Sequence, residues 1–169
     1  MFKTFYPDED VVSAYDIPYE RLYKSGIKGV IFDIDNTLVP HGAPADERAK
    51  GLFIRLNEIG LKTCLLSNNK EPRVASFADS AGSSSYIFKG NKPGIGGYKK
   101  AMELMGTTTK DTVFVGDQLF TDVYGAKRAG IYNILVRPID PREEIQIVLK
   151  RALEAIVLFF YHKDKKKAM

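Results

Sequence analysis

The chain has 169 residues, 44% hydrophobic and 27% charged, with 25 Lys+Arg against 21 Asp+Glu and a formal charge of +4. That composition is ordinary for a globular protein and excludes a disordered, collagen-like or disulfide-scaffold chain. The one cysteine, Cys64, permits neither an intrachain disulfide nor a thiolate zinc cluster, and two histidines, His41 and His162, are too few for a His-rich metallohydrolase centre.

The charge is unevenly placed. Residues 1–141 hold 18 basic and 17 acidic side chains, whereas residues 142–169 hold 7 and 4. A nearly neutral body gives no electrostatic footprint for specific nucleic-acid binding. Residues 1–10 lack a signal-peptide apolar stretch, and no run approaches the ~18–20 apolar residues of a membrane span. The expected location is cytoplasmic.

In chain order, residues 1–26 read as a lead-in with one helix, opened by Pro18 and stopped by Gly26. Strands are predicted at 27–33, 61–66, 85–88, 112–116 and 131–136. Helices are predicted at roughly 46–59, 71–81, 94–105, 122–129 and 142–161. Gly60, Gly82, Gly106 and Gly130 follow helices, where glycine takes the left-handed stop conformation. Strict alternation with continuously apolar strands predicts an α/β fold, a central parallel sheet between two helical layers. One domain spans 1–169: lead-in 1–26, core 27–136, and a C-terminal helix with a basic tail 142–169. Ligands of such sheets bind beyond the carboxyl ends of the strands.

The first strand runs into Asp33-Ile34-Asp35-Asn36-Thr37. A polar turn with a helix cap needs at most one Asp. Two carboxylates this close need a cation, or one must keep a proton. The second strand ends in Ser67-Asn68-Asn69, where a hydroxyl and the N–H groups of the turn suit phosphate; a plain helix cap is the alternative. Before the fourth helix stands Lys92-Pro93. Proline biases Lys92 toward extended backbone and can itself open a helix. The fourth strand ends in Gly116-Asp117, with Asp122 near the next helix start.

Together Asp33, Asp35, Asp117 and Asp122 bring four negative charges to one sheet edge, and Lys92 offsets one. The resulting conflict calls for a divalent cation, and oxygen-only donors favour Mg²⁺. Chemically, one carboxylate would attack phosphorus while its neighbour, its pKa raised by crowding, would exchange the proton.

These residues resemble the four ordered motifs of the haloacid dehalogenase (HAD) superfamily. More narrowly, Pro7-Asp8-Glu9, Gly26-Ile27-Lys28-Gly29-Val30, Ser67-Asn68-Asn69 and Gly116-Asp117-Gln118-Leu119 resemble the YqeG-like phosphatases of subfamily IIIA, relatives of mitochondrial-type phosphatidylglycerophosphate phosphatases. The resemblance implies a HAD-like Rossmannoid fold and a phosphomonoester as substrate. It makes Asp33 nucleophile and Mg²⁺ ligand. Asp35 becomes general acid/base, with its carbonyl on the metal. Ser67, Asn68 and Lys92 become phosphate binders. Asp117 becomes a metal ligand, supported by Asp122 directly or through water. Intervals 38–66 and 68–91 each hold only a helix and a strand, which leaves no room for a large cap domain. The alternative function is a phosphate-sensing or docking module with little turnover. The intact Asp33, Asp35, Lys92 and Asp117 set argues against it.

Cys64 reads as a core residue of an apolar strand and His41 as an exposed loop residue. In the C-terminal segment, Ile145, Val148, Leu149, Ala152, Ile156, Phe159 and Phe160 form a helical stripe, read as the face that packs on the body with a solvated basic end. The alternative is a peripheral membrane or homo-oligomer contact, since apolar residues beside Lys163–Lys167 suit anionic lipid.

Overall fold

The structure, a computed structural model, describes residues 2–140 and 145–168. Its centre is a parallel sheet of six strands: β1 (Glu9–Val11), β2 (Gly29–Phe32), β3 (Lys62–Leu66), β4 (Ser85–Ile87), β5 (Thr112–Gly116) and β6 (Tyr132–Val136). Their spatial order is β1-β6-β5-β2-β3-β4, so β2 and β5 lie in the middle.

Both central strands are buried along their whole length. Side chains alternate between faces, so a strand covered on both sides must be apolar at every position. Val30 and Phe32 enter one core with Leu65, Val113 and Val115, under α2 (Glu47–Ile59) and α3 (Glu71–Ala81). Ile31, Cys64, Leu66 and Phe114 enter the opposite core, under α4 (Gly96–Met105) and α5 (Tyr124–Arg128). The result is the expected three-layer α/β/α sandwich, and no large cap interrupts it: 38–66 and 68–91 are filled by α2 with β3 and by α3 with β4.

Local signals set the helix ends. Asp46 caps α2 by accepting from the Ala49 N–H at 2.8 Å, and Gly60 ends it at φ 99°. In the lead-in, α1 (Tyr19–Lys24) follows Pro18 as expected.

Four features differ from the sequence reading. The lead-in carries β1, which pairs with β6 from Glu9↔Ile134 to Val11↔Val136. Three residues with two acids show no apolar periodicity; Asp8 fixes the strand instead, its Oδ2 accepting from the Asn133 N–H and Nδ2 at 3.0 and 2.7 Å. Pro93 opens no helix: the Lys92–Pro93 bond is cis, and α4 starts at Gly96. The helix after β5 begins earlier than expected, as a π-helical turn at Leu119–Val123 that carries Asp122.

The fourth difference is α6 (Ile145–Ala168). It runs past 161 to 168, and its expected start at 142 lies outside the described residues. Lysines are good helix formers, and two contacts tie the end down: Lys165 Nζ to Asp10 Oδ1 at 3.2 Å and Tyr6 Oη to Asp164 Oδ2 at 3.1 Å. The expected packing stripe is turned the other way. Val148, Leu149, Ala152, Ile156, Phe159 and Phe160 are exposed, whereas Glu154, Val157 and Tyr161 are buried against the body.

Gly116 shows how tightly the end of β5 is built. A Cβ there would stand 2.5 Å from Asp122 Oδ2 and 2.7 Å from its Cβ. Gly116→Ala is expected to lower stability by about 1–3 kcal/mol, read as an earlier midpoint in urea unfolding. Cys64 is fully buried, and burial pushes its thiol up to about 11. Ellman's reagent should find no thiol in the native protein at pH 8 and one per chain in denaturant.

Candidate active site

The carboxyl ends of β2, β3 and β5 meet at one edge of the sheet. Asp33 follows β2 directly, its N–H bonded to the Val115 carbonyl at 3.0 Å. Ser67 follows β3, and Asp117 follows β5. All three are buried. Each strand delivers one polar residue to the first position beyond its buried run.

Lys92 joins these ends. Its ammonium donates to Asp33 Oδ1 at 2.8 Å and to Asp122 Oδ1 at 2.7 Å, and it is itself buried. Burial opposes its charge, but Asp122 and Asp33 outweigh that and hold it above the ordinary lysine range. Asn68 brackets the main chain of Lys92, accepting from its N–H at 2.8 Å and donating to its carbonyl at 3.2 Å. The other oxygen of Asp122 accepts from the N–H groups of Asp117 and Gln118, at 3.1 and 3.2 Å. The π-helical turn makes this possible by folding Asp122 back over Gly116.

Asp33, Asp117 and Asp122 form one cluster, their ligand atoms all within 4.8 Å of one another. Burial pushes the Asp33 carboxyl up to about 6; Lys92 pulls it down and the Asp122 charge raises it. Burial also holds Asp117 well above the usual carboxylate range, helped by the charges of Asp33 and Asp122. Thr37 Oγ donates to Asp117 Oδ1 at 3.1 Å. Three converging, buried carboxylates are an all-oxygen donor set, which fits a hard divalent cation.

Asp35 stands apart from this cluster. The sequence places it two residues from Asp33 and predicts crowding by that carboxylate. Instead, three donors surround it: Asn69 Nδ2 at 2.6 Å, the Gly42 N–H at 2.7 Å and Arg73 Nη2 at 2.9 Å. The chain turns just after Asp35, with Asn36 at φ 61°.

Two arginines that carry no local sequence signal also correct the charge count. Arg73, on α3, pairs with Asp35. Arg151, on α6, binds Asp117 through both its carbonyl, at 2.7 Å, and its Oδ2. The inner cluster then holds three carboxylates against Lys92 and Arg151, a formal charge of −1 rather than the −3 read from sequence. Glu154 completes the α6 contact, accepting from the Leu119 N–H at 2.9 Å and from Arg151 at 2.9 Å.

Above the cluster lies a cleft of about 280 Å³. Asp33, Asp35, Ser67, Asn68 and Lys92 line it, while Asp117 and Asp122 lie beneath. Ser67 Oγ accepts from the Asn69 N–H at 3.1 Å. His41, exposed as expected, stands at the rim. Gln118 and Lys150 form the opposite wall, joined at 2.7 Å. Buried carboxylates, one buried ammonium and a polar open mouth can bind a small oxyanion and exchange protons with it.

Comparison with known proteins agrees with this chemistry. The haloacid dehalogenase-like hydrolase family model matches residues 43–130. The chain is 37% identical over 157 residues to a Bacillus subtilis (strain 168) protein named "Probable phosphatase YqeG", covering 92% of this chain and 91% of that one. It is 30% identical over 164 residues to phosphatidylglycerophosphate phosphatase 1, chloroplastic/mitochondrial, of Arabidopsis thaliana; 87% of this chain aligns, spanning 46% of the plant protein. Among solved structures, 3-deoxy-D-manno-octulosonate 8-phosphate phosphatase from Moraxella catarrhalis shares the fold, with a TM-score of 0.52, 17% identity, and coverage of 72% of this chain and 75% of that one. With its ordered strand-end residues and capless sheet, the chain belongs to the haloacid dehalogenase-like hydrolase family, in its YqeG-like branch, and is a phosphomonoester hydrolase.

Proposed function

We propose that residues 1–169 act as one capless, Mg²⁺-dependent phosphatase that works through an aspartyl-phosphate on Asp33. One observation carries this reading: Asp33, the strand-end carboxylate that lines the cleft, is held on one oxygen by the buried ammonium of Lys92. That contact fixes the carboxylate's direction before any substrate arrives.

In the first step an oxygen of Asp33 attacks phosphorus, and the bond from phosphorus to the leaving oxygen breaks. Asp35 gives its proton to that oxygen. Its three donors, Asn69, Arg73 and the Gly42 N–H, fix its position at the cleft wall. In the second step water attacks the phosphoryl group and passes a proton to Asp35; the bond to Asp33 breaks and inorganic phosphate leaves. Lys92, the Ser67 hydroxyl and the N–H groups of the turn at Asn68 hold the phosphoryl oxygens. Asp33, Asp117 and Asp122 would hold the ion with the carbonyl of Asp35. Bound there, Mg²⁺ would neutralise negative charge that builds on the phosphoryl oxygens.

For the substrate we propose a phosphomonoester presented on a bulky carrier, such as phosphatidylglycerophosphate. Support comes from the capless, open cleft and from the plant relative's name. A docking module without turnover is not favoured, because the family relatives are phosphatases.

Hydrolysis of an aryl phosphate tests the mechanism. EDTA should abolish turnover, and added Mg²⁺ should restore it. Asp33→Asn should lower kcat by about 10³-fold or more. Asp35→Asn should lower it by about 10²–10⁴-fold while leaving KM within a few-fold. Turnover that survives Asp33→Asn would refute the covalent route.

A further inference from the structure

Helix α6 is amphipathic in the inverse sense to an ordinary surface helix. Its charged residues Arg151 and Glu154 point into the protein, at Asp117 and the Leu119 N–H. Most of its apolar residues point out, although Val157 and Tyr161 are buried against the body. Val148, Leu149, Leu153, Ile156, Phe159 and Phe160 are each 40–67% exposed. At 3.6 residues per turn they share less than about half of the helix circumference. The stripe is continuous over more than three turns, unlike the singly scattered apolar residues of ordinary surfaces.

The same arc continues into Lys163, Lys166 and Lys167, all exposed. Among the described residues no ion pair holds these three lysines, whereas Lys165, on the inward side, pairs with Asp10. Among the described residues, Asp164 is the one acid that borders the arc, and it accepts from the Tyr6 hydroxyl, so a second copy meeting the arc face to face brings little counter-charge. No helix among the described residues is long and apolar enough to cross a membrane. An apolar stripe that ends in unpaired lysines matches the acyl boundary and the anionic headgroups of a bilayer surface.

We infer that the outer face of α6 is a docking surface for anionic lipid bilayers. Lys150, one turn before the middle of the stripe, lines the catalytic cleft and bonds Gln118. Docking therefore sets the cleft mouth beside the membrane, where a phosphate on a lipid headgroup would be presented. That consequence rests on the cleft being the phosphatase site; the docking itself does not.

Co-sedimentation with vesicles of phosphatidylcholine, with and without phosphatidylserine, tests the surface without any turnover. The full chain should bind only the anionic vesicles, and salt should weaken binding. The double variant Ile156→Ser/Phe159→Ser and the triple variant Lys163→Gln/Lys166→Gln/Lys167→Gln should each lower affinity about tenfold or more. Neither variant touches the cleft, so hydrolysis of a soluble aryl phosphate should be unchanged and reports folding. The lysine variant carries the test if the apolar one does not fold. Absence of binding to anionic vesicles, or binding unaltered in the folded variants, would overturn the inference. So would a dimer in light scattering that Ile156→Ser/Phe159→Ser dissociates, since a second copy would then cover the face.

Discussion

A buried ammonium between two buried carboxylates organises this protein. Lys92 reaches Asp33 and Asp122 at 2.8 and 2.7 Å, and neither acid is exposed enough to be neutralised by solvent. Removing one partner from such a group leaves uncompensated charge, a cost of about 3–5 kcal/mol, against total stabilities of about 5–15 kcal/mol. Nearby features of the fold serve this contact. Gly116 lacks a side chain because the Asp122 carboxyl lies over it. The π-helical turn supplies the extra residue that brings Asp122 back, and the Tyr98 hydroxyl donates to the carbonyls of Thr121 and Asp122 at 3.0 Å. Asn68 clamps the Lys92 main chain from the neighbouring strand end.

This constraint divides the carboxylates into two groups with different surroundings. Asp33, Asp117 and Asp122 share a desolvated space, and burial together with neighbouring carboxylate charge raises the proton affinity of Asp33 and Asp117. Asp35 has Arg73, Asn69 and a backbone N–H instead. Two acids two residues apart can perform different tasks only when their surroundings differ. Here donors from other parts of the chain create that difference, with Asn69, Arg73 and the Gly42 N–H all meeting at Asp35.

The sheet and its carboxyl edge were legible because both are written in local order. A run such as Gly29-Val30-Ile31-Phe32 that ends abruptly in Asp33 states strand, burial and edge at once. The same holds for Val113-Phe114-Val115 with Asp117. What escaped depends on distant partners. β1 is three half-buried residues held by Asn133, 125 positions away from Asp8. Arg151 meets Asp117 across 34 positions, and Arg73 meets Asp35 across 38. Arginines are common, and nothing near either one marks it as a partner of the site.

The orientation of α6 was lost for a related reason. Periodicity identifies which residues share a helix face, but it cannot say which face turns inward. The apolar stripe was assigned inward because burial of apolar area usually decides. In this helix the competing term is electrostatic. Asp117 sits in a low-dielectric cluster with too little positive charge, and Arg151 supplies a guanidinium to its carboxylate and carbonyl together. Glu154 then satisfies the Leu119 N–H at the start of the π-helical turn. Charge-assisted bonds to desolvated partners contribute roughly 1.5–3 kcal/mol each, comparable to burying a Leu or Phe side chain at about 1.5–3 kcal/mol. The outward stripe loses that burial only if water is its sole neighbour. The bilayer docking inferred for this face would remove the loss, and the same turn of the helix would then serve both the site and the contact outside it.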